Sequence, residues 1–66
     1  MFRNLDAEQA RFSLTNQNVA DRLNISRVSY ENKKKSGKFT TREIKALCRL
    51  FKCSFDYLFA EDEKGA

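Results

Sequence analysis

The chain predicts an all-α fold, a small bundle of five short helices, on three observations. Apolar residues recur at the three- and four-residue intervals of helices, as in Val19, Ala20 and Leu23 and again in Ile44, Leu47, Cys48 and Phe51. Hydroxyl residues that can cap a helix stand directly ahead of such runs, at Thr15, Ser26, Thr40 and Ser54. The length, 66 residues, allows one domain near the lower limit for independent stability.

Taken in order, Asn4 or Asp6 can open a first helix that runs to about Phe12, with Leu5, Gln9 and Phe12 on one face. Met1 to Arg3 either fray or let Phe2 fold back onto the core. Ser13 and Leu14 connect to the second helix, with Leu14 buried. Thr15 caps that helix, whose Val19, Ala20 and Leu23 form an apolar stripe. Asn24 then breaks the pattern, and asparagine tolerates the left-handed backbone that a tight bend requires. Ile25 supplies one buried side chain, and Ser26 caps a third helix over residues 26–35.

Gly37 can take a positive φ at the end of the third helix, where four lysines can also satisfy the last carbonyls. Phe39 plugs the core, and Thr40-Thr41-Arg42-Glu43 has the Thr-x-x-Glu order of a capping box. The fourth helix buries Ile44, Leu47, Cys48 and Phe51 and turns Arg42, Lys45, Arg49 and Lys52 outward. Ser54 caps a last short helix, Phe55 to Phe59. Residues 1–60 therefore form the domain, and Glu61 to Ala66, with no packing residue beyond alanine, read as a disordered tail.

Charge is distributed unevenly. Residues 1–23 carry three charges of each sign, residues 24–52 carry nine basic against two acidic, and residues 53–66 carry one basic against four acidic. A middle segment of +7, centred on the third helix, suits a surface that sits on phosphates. No enzyme is expected: the chain has no histidine, and no spacing sets a nucleophile beside a base. Cys48 and Cys53 are too few for a disulfide scaffold or a four-ligand zinc site, so neither metal nor cofactor is expected. They read as core thiols of a reducing cytosol. No apolar run reaches the roughly 20 residues of a membrane span, and the N-terminus lacks the order of a signal peptide. The expected location is cytoplasmic.

Thr15-Asn16-Gln17-Asn18-Val19-Ala20, followed by Leu23-Asn24-Ile25-Ser26-Arg27, resembles the "LTQEELA…LGVSR" run of the Cro and phage-repressor family of helix-turn-helix proteins, the xenobiotic-response-element-like type. The similarity covers roughly residues 4–59. It implies a lambda-repressor-like fold and a phage or bacterial transcriptional regulator that reads operator DNA with its third helix in the major groove. By resemblance, Arg27, Val28, Ser29 and Asn32 are the base contacts, and the position of Tyr30 is the buried contact to the preceding helix. Arg27 suits guanine, Asn32 adenine, and Val28 a thymine methyl. Asn16, where the family commonly has a glutamine, together with Lys33, Lys35, Lys38, Thr41 and Arg42, are the candidate phosphate contacts. The chain departs from the family in having lysines at both 33 and 34, where an apolar anchor is usual at one or the other, and Ser36 where a glycine is usual.

Two further expectations concern partners. Many relatives bridge the first and third helices with an arginine and an acid; here the charges are inverted, and Glu8 is expected to pair with Lys33 or Lys34. Phe55, Tyr57 and Phe59 are the candidate surface for a homodimer, completed in solution or on DNA, or for a partner repressor protein bound in place of an operator. On that surface Phe55 and Leu58 are spaced to pack inward, leaving Tyr57, with or without Phe59, facing outward.

Overall fold

The computed structural model describes residues 2–60, and the expected tail at 61–66 lies outside them. Five helices follow one another: α1 (Arg3–Arg11), α2 (Asn16–Leu23), α3 (Arg27–Ser36), α4 (Thr41–Phe51) and α5 (Phe55–Leu58). Four of the five starts carry the side-chain cap read from the sequence. Thr15, Ser26, Thr40 and Ser54 each accept a hydrogen bond from the backbone N–H three residues on. At Thr40 the box is reciprocal, because Glu43 Oε1 accepts from the Thr40 N–H at 2.9 Å. A second reciprocal box, formed by Asn18 at Thr15, is a reading that the Thr-x-x-Glu pattern does not reach. Among the described helices α1 alone lacks a side-chain cap; it opens at Arg3, ahead of both Asn4 and Asp6, with Phe2 before it.

The core gathers one or more residues from every helix. Phe2, Leu5, Val19, Ala20, Leu23, Tyr30, Leu47, Phe51 and Leu58 are buried together, with Leu14, Ile25, Phe39, Cys48 and Phe59 partly buried around them. Phe2 thus folds back onto the core, the second of the two alternatives its position allowed. Its ring meets those of Phe39 at 6.2 Å and Phe59 at 5.2 Å between centroids, in the tilted and edge-on arrangements that aromatic quadrupoles favour. Each fully buried aliphatic such as Leu47 contributes about 1.5–3 kcal/mol by leaving water, and truncating one to alanine costs about 2–5 kcal/mol once the cavity is included.

Phe55 and Phe59 exchange the places expected for them. Phe55 is half exposed, whereas Phe59 lies partly buried among Phe2, Phe39 and Phe55. The reason is the length of α5, which is a single turn: Leu58 takes the inward position, and Phe59, just past the last helical residue, follows it. Phe55 stacks on the ring of Phe59 at 5.4 Å.

Helix ends close through left-handed residues. Asn24 (φ 64°) ends α2 and turns the chain through Ile25 into the cap at Ser26, the three-residue bend of a helix-turn-helix; α2 and α3 share the most extensive contact of any helix pair. Gly37 (φ 77°) ends α3. Ser13 (φ 57°) after α1 and Lys52 (φ 53°) after α4 hold the same conformation without a glycine. A Cβ in that region costs about 1–2 kcal/mol, against about 0.5–1 kcal/mol for the extra chain entropy of glycine. Lys52→Gly should therefore raise stability, by up to about 1 kcal/mol, seen as a higher urea midpoint; a lower midpoint would show that the lysine side chain contributes a contact there.

Candidate nucleic-acid interface

The second hairpin helix is held by one face and offers the other. Tyr30 is the inward anchor of α3, fully buried, and its phenol donates to Gln9 Oε1 on α1 at 2.8 Å. At 100° per residue, Val28, Asn32 and Lys35 fall on the side of α3 opposite Tyr30, and all three are exposed, Val28 at 54% of its surface. Arg27 and Glu31 flank this face on one side, and Ser29 with Ser36 on the other. Of the four expected base contacts, Arg27, Val28 and Asn32 are thus gathered on the accessible surface. Ser29 is half-buried, and its Oγ accepts from the hydroxyl of Ser26 at 3.0 Å.

Lys34 and the expected phosphate contacts from Lys33 to Arg42 divide into two groups. Lys33 lies 3.4 Å from Glu43 Oε1 on α4 and also donates to the Lys38 carbonyl at 3.5 Å. Lys34 donates to Asp6 Oδ1 at 2.8 Å and Asn16 Oδ1 at 3.1 Å, with its ammonium 5.0 Å from the centre of the Tyr30 ring. These two lysines stand where the sequence reading looked for an apolar anchor at one position or the other. Their stems pack along the bundle while their heads reach acids on α1 and α4, so a polar residue serves at a half-buried position. Lys35, Lys38, Thr41 and Arg42 are exposed, and among the described residues their side chains have no hydrogen-bond or ion-pair partner. They remain open to phosphates along the end of α3, the loop and the start of α4.

Two expectations are corrected by this geometry. Glu8 does not reach either lysine; the acid that bridges α1 to α3 is Asp6. Glu8 sits buried on another side of α1, where it accepts from the Tyr57 hydroxyl at 3.0 Å and faces Arg11 at 3.5 Å. Asp6 and Glu8 stand 200° apart around the helix, and the burial of Phe2 and Leu5 sets which of them turns toward α3. Asn16, in turn, directs its side chain inward. Its Oδ1 accepts from Gln9 Nε2 at 2.9 Å and from Lys34, and its Nδ2 donates to Glu31 Oε2 at 3.0 Å.

Glu31, which the sequence reading left outside the set of contacts, stands at the centre of this group. Its Oε2 also accepts from Arg27 Nη1 at 2.8 Å, one helical turn back on the exposed surface. The bond from Asn16 and then that from Arg27 hold its carboxyl below the usual carboxylate range, so it stays charged. The i,i+4 spacing of Arg27 and Glu31 was a signal available in the sequence. A cleft of about 330 Å³ opens beside this group, lined by Phe2, Asp6, Asn16, Glu31, Lys34 and Lys35.

Burial, and the charge of Asp6 after it, push the Tyr30 phenol far above its ordinary 10.0. A folded-state value raised above the unfolded one means that its contribution is fully present below about pH 10 and is lost as the pH rises beyond. The urea midpoint should fall as the pH rises above 10, and Tyr30→Phe should remove much of that slope. At neutral pH the same substitution leaves Gln9 without its donor and costs about 1–3 kcal/mol. Equal slopes in both proteins would mean that Tyr30 ionises as freely folded as unfolded. Asp6→Asn, by contrast, removes a largely exposed partner and should cost less than about 1 kcal/mol.

No protein-family model, curated protein or solved structure matches this chain.

Proposed function

We propose that the protein is a sequence-specific DNA-binding transcriptional regulator of the Cro and phage-repressor type, which lays α3 in the major groove of its operator. One observation carries the reading. On α3, Tyr30, Lys33 and Lys34 are engaged by internal bonds, while Val28, Asn32 and Lys35 face outward without partners. A helix with its anchors turned in and short polar, apolar and cationic side chains turned out is suited to base edges with phosphates beside them. Charge supports the same reading: the +7 of residues 24–52 attracts any duplex, and the exposed Lys35, Lys38 and Arg42 are free to release counterions from it. A regulator of this kind works in the cytoplasm of a bacterial or phage-infected cell.

One reading helix contacts few base pairs, so two copies on a pseudo-palindromic operator, with half-sites about 34 Å apart, are part of the proposal. Phe55, 52% exposed, and Tyr57, 40% exposed, offer the contact. The same pair favours a second reading, in which the domain binds and modulates a partner repressor protein. Phe55 is the cleaner probe of either, since Tyr57→Glu would set a second acid against Glu8. Phe55→Ser loses the stack on Phe59 and should lower monomer stability by about 1–2 kcal/mol without abolishing the fold, and should remove cooperative binding to a two-half-site duplex. Persistent cooperativity would place the dimer contact elsewhere. A mixture with a neighbouring repressor that co-elutes on a sizing column, with no duplex bound, would favour the second reading.

The direct test is selection of duplexes from a random pool, followed by binding of the selected sequence. Arg27→Ala should weaken that binding by about 1–3 kcal/mol while scarcely altering affinity for unrelated DNA. Lys35→Ala and Lys38→Ala should weaken both and reduce the salt slope by about one unit each. Failure to enrich any sequence would overturn the proposal.

A further inference from the structure

A guanidinium on an exposed helix has many rotamers open to it, and on DNA the nearest phosphate competes with any base. What Arg27 contacts therefore depends on what holds it. Its Nη1 donates to Glu31 Oε2 at 2.8 Å, and the same oxygen accepts from Asn16 Nδ2 at 3.0 Å. Asn16 is held in turn, because its Oδ1 accepts from Gln9 Nε2 at 2.9 Å and from Lys34 Nζ at 3.1 Å. Gln9 Oε1 accepts from the buried Tyr30 phenol at 2.8 Å. Each amide thus uses its oxygen on one neighbour and its nitrogen on the next, and turning either one over would set donor against donor or acceptor against acceptor. The chain of bonds has one polarity, from a phenol in the core through α1 and α2 to a carboxylate at the surface. Arg27 is the donor at its outer end.

Resting on the DNA-binding reading above, we propose that Glu31 is a specificity-determining positioning residue: held by Asn16, it fixes Arg27 toward one base pair and its charge lowers affinity for DNA in general. Both effects follow from the geometry. A guanidinium has five N–H donors, so one bond to Glu31 leaves others for the paired acceptors of a guanine. A phosphate of unrelated DNA that approaches the same spare donors comes up against the Glu31 carboxylate, and a carboxylate beside the duplex repels the backbone at every sequence. Gln9 and Asn16 thereby act on base choice from positions turned away from the reading face.

The test compares wild type, Glu31→Gln, Arg27→Ala and the double variant. Each is measured on a selected duplex, on its single-base-pair replacements and on an unrelated duplex. Arg27→Ala identifies the base pair that Arg27 reads. Glu31→Gln should lose about tenfold discrimination at that base pair, hold the other positions within about twofold, and bind unrelated DNA about three- to tenfold more tightly. In the Arg27→Ala background it should change discrimination nowhere. Asn16→Ala keeps the charge and removes the anchor, so it should lose discrimination at the same base pair without tightening on unrelated DNA. Unfolding midpoints of all variants exclude loss of fold as the cause. Full discrimination by Glu31→Gln, or an equal loss at every position, overturns the inference while leaving the DNA reading intact. A wild type with no base preference overturns both.

Discussion

A phenol hydroxyl brought into a helical core needs an acceptor, and leaving it without one costs about as much as this small domain gains from burying a single aliphatic side chain. Tyr30 finds that acceptor in Gln9, and the consequence reaches well past the pair. The bond sets the rotation of α3 about its own axis relative to α1. Once Tyr30 points inward, helical geometry requires Val28, Asn32 and Lys35 to point out. The amide of Gln9, bound at its oxygen, is left to donate to Asn16, which links α2 into the same arrangement and reaches Glu31. Among the described residues no buried side-chain nitrogen or oxygen lacks a partner, so the polar group in the core adds order rather than frustration.

The two lysines beside Tyr30 show how a bundle this small can dispense with an apolar anchor. Lys33 and Lys34 follow each other on α3 and diverge, one to Glu43 on α4 and the other to Asp6 on α1. Because Glu43 also closes the capping box at Thr40, one carboxylate satisfies a helix start and ties two helices together. The same acids neutralise these two lysines internally, which leaves Lys35, Lys38 and Arg42, with Lys45, Arg49 and Lys52 further along α4, as the exposed cations of the segment that no acid pairs among the described residues. Internal pairing thus decides which cations of a basic segment remain for an external partner, and net charge by itself does not.

Much of the fold was legible in the sequence because its determinants are local. A cap and its N–H lie three residues apart, and Asn24 and Gly37 carry their backbone preference wherever they stand. The left-handed Ser13 and Lys52 were not legible, since neither residue type favours that region and the surrounding packing imposes it. Choices between neighbours on one helix failed for a related reason. Asp6 or Glu8, and Phe55 or Phe59, are separated by how each helix is rolled or where it stops, quantities fixed by contacts made elsewhere in the bundle. In the site, exposure of Val28 and Asn32 followed from their distance from Tyr30 along α3, and that of Arg27 from its place as the first residue of the helix. The inward turn of Asn16 did not, because it depends on three partners drawn from α1 and α3.

The account therefore stands on one claim: α3 meets a duplex with the face opposite Tyr30. Chemical-shift mapping of isotope-labelled protein titrated with a selected duplex tests it most directly. The account predicts that the largest changes fall on Arg27, Val28, Asn32 and Lys35, continue through Lys38, Thr41 and Arg42, and leave Leu47 and Phe51 still. Changes centred on Phe55 and Tyr57, with Val28 and Asn32 unmoved, would contradict it.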